Sequence, residues 1–186
     1  MDRRRRPHSP PQEGPVEVKD YFKATLTRAE NTLLRALDGL SPDDLRKQPA
    51  GPGSNPIGWL AWHLSRVQDG WMTRIAGGKQ EWEEHGWAAK FGFNGDPPQY
   101  TPDNVHTFDG MNAELLLGYY KAVRARTDAR LDALTSADYD RELPPPAPGR
   151  PAMTVGAVLA LIMGDNLQHI GQIAYLRGLI KGQGWY

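Results

Sequence analysis

Residues 164–178, GDNLQHIGQIAYLRG, set a carboxylate, Asp165, four positions before an imidazole, His169, inside a stretch whose apolar residues recur at helical spacing. The full stripe reads Val155, Val158, Leu159, Ile162, Asp165, His169, Ile173, Leu176 and Ile180, in steps of three or four. This predicts a helix capped by Thr154, continuing to about Ile180 and stopped by Gly182. A charged group in an apolar stripe is costly unless something satisfies it. Side chains at i and i+4 share one helix face, with Cβ atoms about 5–6 Å apart. The pair can therefore converge on a metal ion. It can equally be a hydrogen-bonded buried pair, or face a wet cleft.

Three more stretches carry the helical period. From Val16 to Leu40, Phe22, Leu26, Ala29, Leu33, Leu37 and Leu40 form one stripe, ending near Gly39. After a short turn at SPDDL and a Pro/Gly-dense loop, QPAGPGSNP, Asn55 is a natural cap with Pro56 at the first helical position. The second helix is then expected from Pro56 to Ala76, with Ile57, Leu60, Leu64, Val67, Trp71 and Ile75 facing inward. The third is expected from Gly110, capped by Asp109, to Leu134, with Leu115, Leu116, Tyr119, Val123, Thr127, Leu131 and Leu134 as its stripe. No segment alternates convincingly with period two. Four long helices with one long crossover, between helices 2 and 3, predict an all-α four-helix bundle. The crossover contains Trp82, Trp87, Phe91, Phe93 and Tyr100, so it reads as a packed connection with a short helical piece, and as a candidate pocket wall.

Composition narrows the function classes. The 186 residues carry 22 basic and 22 acidic side chains, so no global field favours nucleic acid or an anionic membrane. There is no cysteine, which removes disulfides, a thiolate nucleophile and Cys-based zinc sites. No run of about 18 apolar residues occurs, and no apolar segment follows the four arginines near the start. The reading is a cytoplasmic protein with a disordered Pro/Arg-rich tail at 1–15 and one bundle domain at 16–186.

A third polar residue joins the opening pair. His63, in NPIGWLAWHLSRVQDGW, lies on the flank of the second stripe and, like Asp165 and His169, midway along its helix. If the two helices are neighbours, two imidazoles and a carboxylate meet, a ligand set that suits a catalytic zinc, iron or nickel ion. Trp59 and Trp62 flank His63 as core or pocket wall, while His85 and His106 read as exposed loop residues. Gly171 costs about 1 kcal/mol of helix propensity relative to Ala, which predicts a close helix contact there. Gln172 can orient a metal ligand or simply lie on the surface.

The segments GDNLQHIGQIAYLRGLIKGQGWY, NPIGWLAWHLSRVQDGWM and YTPDNVHTFDGMNAELLLGYYKAVRARTDARLDAL resemble, in the same order, the last, second and third helices of the DinB-like superfamily. That resemblance implies a metal triad at His63, Asp165 and His169. Many members carry His at the middle position, and the branch similar to mycothiol-dependent maleylpyruvate isomerase carries Glu. Asp165 keeps a carboxylate one methylene shorter. The resemblance further implies a homodimer and a divalent metal, zinc first, with nickel or iron as alternatives. It also implies a transferase that activates an external low-molecular-weight thiol, of mycothiol or bacillithiol type, for attack on an electrophile. The alternatives are a hydrolase using metal-activated water, and a non-catalytic, stress-related bundle whose metal is structural or absent. Neither the balanced charge nor any basic-aromatic motif supports nucleic-acid binding.

Overall fold

The computed structural model describes residues 16–94 and 111–183. The expected tail at 1–15, the Asp109 cap, Tyr100 and His106 lie outside the described residues. In chain order the helices are α1 (Val18–Leu37), α2 (Pro42–Arg46), α3 (Ile57–Ala76), α4 (Glu81–Glu84), α5 (Trp87–Lys90), α6 (Ala113–Asp132) and α7 (Val155–Lys181).

Local chemistry sets the helix ends. Thr154 Oγ1 accepts from the Ala157 amide at 3.2 Å at the start of α7. Gly182 closes the other end with φ 73°, a left-handed conformation that suits glycine. Ser41 and Asp44 form a reciprocal capping box on α2, each side chain accepting from the other's backbone N–H. The start of α6 is capped by Asn112, whose Oδ1 accepts from the Leu115 amide at 2.8 Å. Helix α3 begins one residue later than expected: Pro56 itself is the cap residue, in extended conformation and with no side-chain cap bond.

The four long helices form a bundle in which α7 packs on α3 and α1, and α6 packs on the same two from the other side. The all-α bundle is therefore the fold, with one small addition. Glu142–Leu143 pairs antiparallel with Met153–Thr154, and the Pro-rich loop lies between the two strands. Two residues per strand leave no room for a period-two pattern, so the sequence shows no sign of this ladder.

The core is divided. One apolar cluster gathers Leu33, Leu37, Leu60, Leu64, Tyr119, Ile170 and Ile173, among others. A second gathers Phe22, Leu26, Met72, Ile75, Leu131, Val158 and Ile162. Between them along the helices sit the buried polar side chains Ser65, Gln68, Thr127 and Asn166. Three of them bond the preceding helical turn: Ser65 to Ala61 O, Thr127 to Val123 O, Asn166 to Ile162 O. Gln68 Nε2 donates to Thr127 Oγ1 at 2.9 Å. On α3 the fully buried face continues through Gln68 and Met72, while the expected Val67 and Trp71 are only half-buried.

The described part of the crossover is packed, as its aromatic content predicts. Trp82, Trp87 and Phe91 are buried, and all three rings meet Tyr119. Asp69 on α3 fixes it in place. Its carboxylate accepts from the Glu81 and Trp82 amides and from the Tyr119 hydroxyl, each at 2.9 Å. Glu81 and Trp82 are the first two residues of α4, whose own cap residue, Gln80, makes no side-chain cap bond.

Candidate metal centre

Because α3 and α7 pack side by side, His63 meets Asp165 and His169 at the level of the polar layer. One donor atom from each residue lies within 4.8 Å of the other two. Asp165 Oδ1 stands 3.4 Å from His169 Nε2 and 3.9 Å from His63 Nε2. The imidazole rings are perpendicular, 5.0 Å between centroids at 89°. All three side chains are part-buried, at 31 %, 19 % and 13 % exposure for His63, Asp165 and His169. The pair on α7 therefore flanks the buried stripe and does not occupy it. Asn166, fully buried, takes the central position that the sequence reading gave to Asp165.

Supporting groups orient the donors. His169 Nδ1 lies 2.7 Å from Gln172 Oε1. An amide oxygen only accepts, so Nδ1 carries a proton, while Nε2 faces Asp165 and is the nitrogen that can ligate a cation once its own proton is lost. Trp59, itself buried, stacks on His63 with centroids 4.4 Å apart and planes 15° apart. Trp62 instead packs edge-on against Trp82 in the core. Burial lowers the His63 pKa, with the neighbouring His169 adding to that and Asp165 opposing it, so the neutral, ligating form is favoured. Burial also pulls His169 down, but its hydrogen bonds to Asp165 and Gln172 and the Asp165 charge outweigh it and leave the pKa raised.

The donors fit a divalent cation. Metal–ligand bonds of about 2.1 Å put tetrahedral ligand atoms about 3.4 Å apart, close to the spacings around Asp165 Oδ1. Asp165 Oδ2 is buried with no hydrogen-bond partner, a cost that a cation on this carboxylate would remove.

Other expected residues fall elsewhere. His85 is exposed and pairs with Glu81, its Nδ1 2.9 Å from Oε1. Gly171 makes no close helix contact: a Cβ there would meet nothing within 4 Å, because the residue faces away from the bundle. The sequence reading did not single out a half-open pocket beside Gln172, lined by the 50–55 loop, α3 and α7 and not by the crossover. Only the fold brings that loop to α7.

The DinB superfamily model matches residues 25–173. The chain belongs to the DinB superfamily. A solved structure of a conserved protein from Enterococcus faecalis superposes with TM-score 0.78 at 22 % identity, covering 91 % of this chain and 100 % of that one. At that identity the likeness shows the fold alone. A comparison with curated proteins gives no match. Among the described residues, no helix of this DinB-superfamily chain is long and apolar enough to cross a membrane.

Proposed function

We propose that the chain is a divalent-metal-dependent transferase that joins an external low-molecular-weight thiol, of mycothiol or bacillithiol type, to an electrophilic small molecule in the cytoplasm. The observation that carries this reading is the convergence of His63, Asp165 and His169, with Gln172 behind His169 and an unpartnered oxygen on Asp165. A cation held there, zinc before nickel or iron, would supply Lewis acidity and lower the pKa of a thiol or water at its open position.

The chain's own groups do the rest. His63 favours its neutral form, His169 ligates once it gives up its Nε2 proton, and Asp165 brings the negative charge that favours a dication. Gln172 keeps the His169 proton on the outer nitrogen, and Trp59 shields one face of His63 from water. With no cysteine in the sequence, the sulfur that bonds to the electrophile must come from outside. In the transfer, sulfur forms a bond to the electrophilic carbon, the leaving group departs with its electron pair, and the thiol proton passes to solvent. A homodimer belongs to the same reading. Leu167 and Leu179 on α7, 49 % and 47 % exposed, are apolar surface that a second copy would cover.

The test is turnover of monobromobimane by zinc-loaded protein, with and without mycothiol or bacillithiol. The proposal expects conjugation that needs both metal and thiol. Thiol-independent, metal-dependent hydrolysis would move the assignment to a hydrolase. No turnover, with chelation changing only the unfolding temperature, would make any metal structural.

A further inference from the structure

Gln172 belongs to two places at once. Its Oε1 bonds the His169 ring, and the same side chain forms part of the wall of a half-open pocket of about 220 Å³. Ser54, Asn55, Leu60, Tyr175 and Leu176 supply most of the remaining wall. None of these side chains carries a charge at neutral pH. Leu60 and Leu176 supply apolar wall, while Gln172 brings amide N–H donors. The pocket is thus joined to the metal centre through Gln172, which bonds the His169 ring.

Size and chemistry narrow what enters. A dry cavity of about 150 Å³ accepts benzene, whereas pockets that enclose whole drug-sized ligands run to about 300–1,000 Å³. A pocket of about 220 Å³ therefore takes one ring or a short branched chain, an arm of a molecule and not the whole. A carboxylate or ammonium moved into it would lose hydration and find no opposite charge in the wall. An uncharged arm with one amide- or hydroxyl-like function would keep a hydrogen bond through the Gln172 amide.

We propose that this pocket seats the uncharged, mainly apolar arm of the electrophilic substrate, an assignment that rests on the transferase reading above. Gln172 is the specificity-determining contact and transmits occupancy to the His169 ring. The thiol's polar groups are left to the open side of the metal centre.

The test uses the full chain, metal-free and zinc-loaded, titrated with benzamide and with benzoate and followed by amide and imidazole NMR. The proposal expects saturable benzamide shifts at Ser54, Asn55, Gln172 and Tyr175, with a smaller shift at the His169 ring. Benzoate should bind at least about tenfold more weakly, since its charge has no partner in the wall. Ala50→Trp, which puts a large ring on a residue that lines the pocket, should abolish the shifts. Nuclear Overhauser contacts from the benzamide ring to the Leu60 and Leu176 methyls in the unaltered protein test the location without any substitution. Shifts centred elsewhere, equal binding of benzoate, or binding undiminished in a folded Ala50→Trp variant would overturn the proposal. Zinc binding without benzamide binding would sink this pocket alone. Benzamide binding without zinc binding would sink the transferase reading and the substrate role together.

Discussion

The hydrogen bond from His169 to Gln172 decides which imidazole nitrogen can ligate, so Gln172 acts at a distance from any metal. Replacing it with Leu should lower zinc affinity by about 10–100-fold, the usual cost of losing such a partner, as measured by competition with a chromophoric chelator. Gln172 is exposed, so the unfolding temperature of the metal-free variant should stay unchanged. The candidate residues are readable because Asp165 and His169 interrupt an apolar period and His63 flanks the second stripe at the same depth; the resemblance joins the three into one triad. The phase of that period was not readable. Starting from Ile162, a step of three reaches Asp165 and a step of four reaches Asn166, and both continue in helical register. The structure buries Asn166 because its amide can bond Ile162 O within the helix, whereas Asp165 retains access to solvent and to the histidines.

At the scale of elements, Asp69 joins three of them through one carboxylate. It caps α4 from α3 and receives the Tyr119 hydroxyl from α6. Asp69→Ala would leave two backbone N–H groups and a phenol unpaired in the core. At about 1–3 kcal/mol for each unsatisfied buried group, the variant should lose at least about 3 kcal/mol of stability in urea unfolding. Wild-type stability in that variant would show that solvent replaces the carboxylate and that the crossover is only loosely held. The sequence foretells packing in the crossover through its tryptophans. It does not foretell Asp69, because VQDGW looks like a solvated helix face until the partners are brought from 12 and 50 positions away. The two-residue ladder at 142–143 and 153–154 is hidden for the same reason: it is set by pairing across a loop and not by local period.

Across the whole molecule, Asp44 ties α2 to the end of α7. Lys181 is the main partner that holds its carboxyl far below the ordinary range, followed by Lys47 and the Ser41 backbone. A carboxyl whose folded pKa is depressed adds stability above its unfolded value of about 4, and that stability disappears as pH falls towards the folded value. Asp44→Asn should therefore lower the thermal midpoint at pH 7, and the gap from wild type should shrink steadily between about pH 4 and pH 2. A gap independent of pH would mean that shape, not charge, matters there. The four-helix architecture itself was legible because each long helix repeats its stripe over several turns, and the Pro/Gly segments between them are unambiguous breaks.

The proposed function depends on His63, Asp165 and His169 holding a single divalent cation. The direct measurement is elemental analysis of purified protein after zinc loading and exhaustive dialysis, beside His63→Ala, Asp165→Ala and His169→Ala. Close to one zinc per wild-type chain is expected, with most of it lost in each folded variant. Full retention in the variants, or no zinc in the wild type, would contradict the proposal.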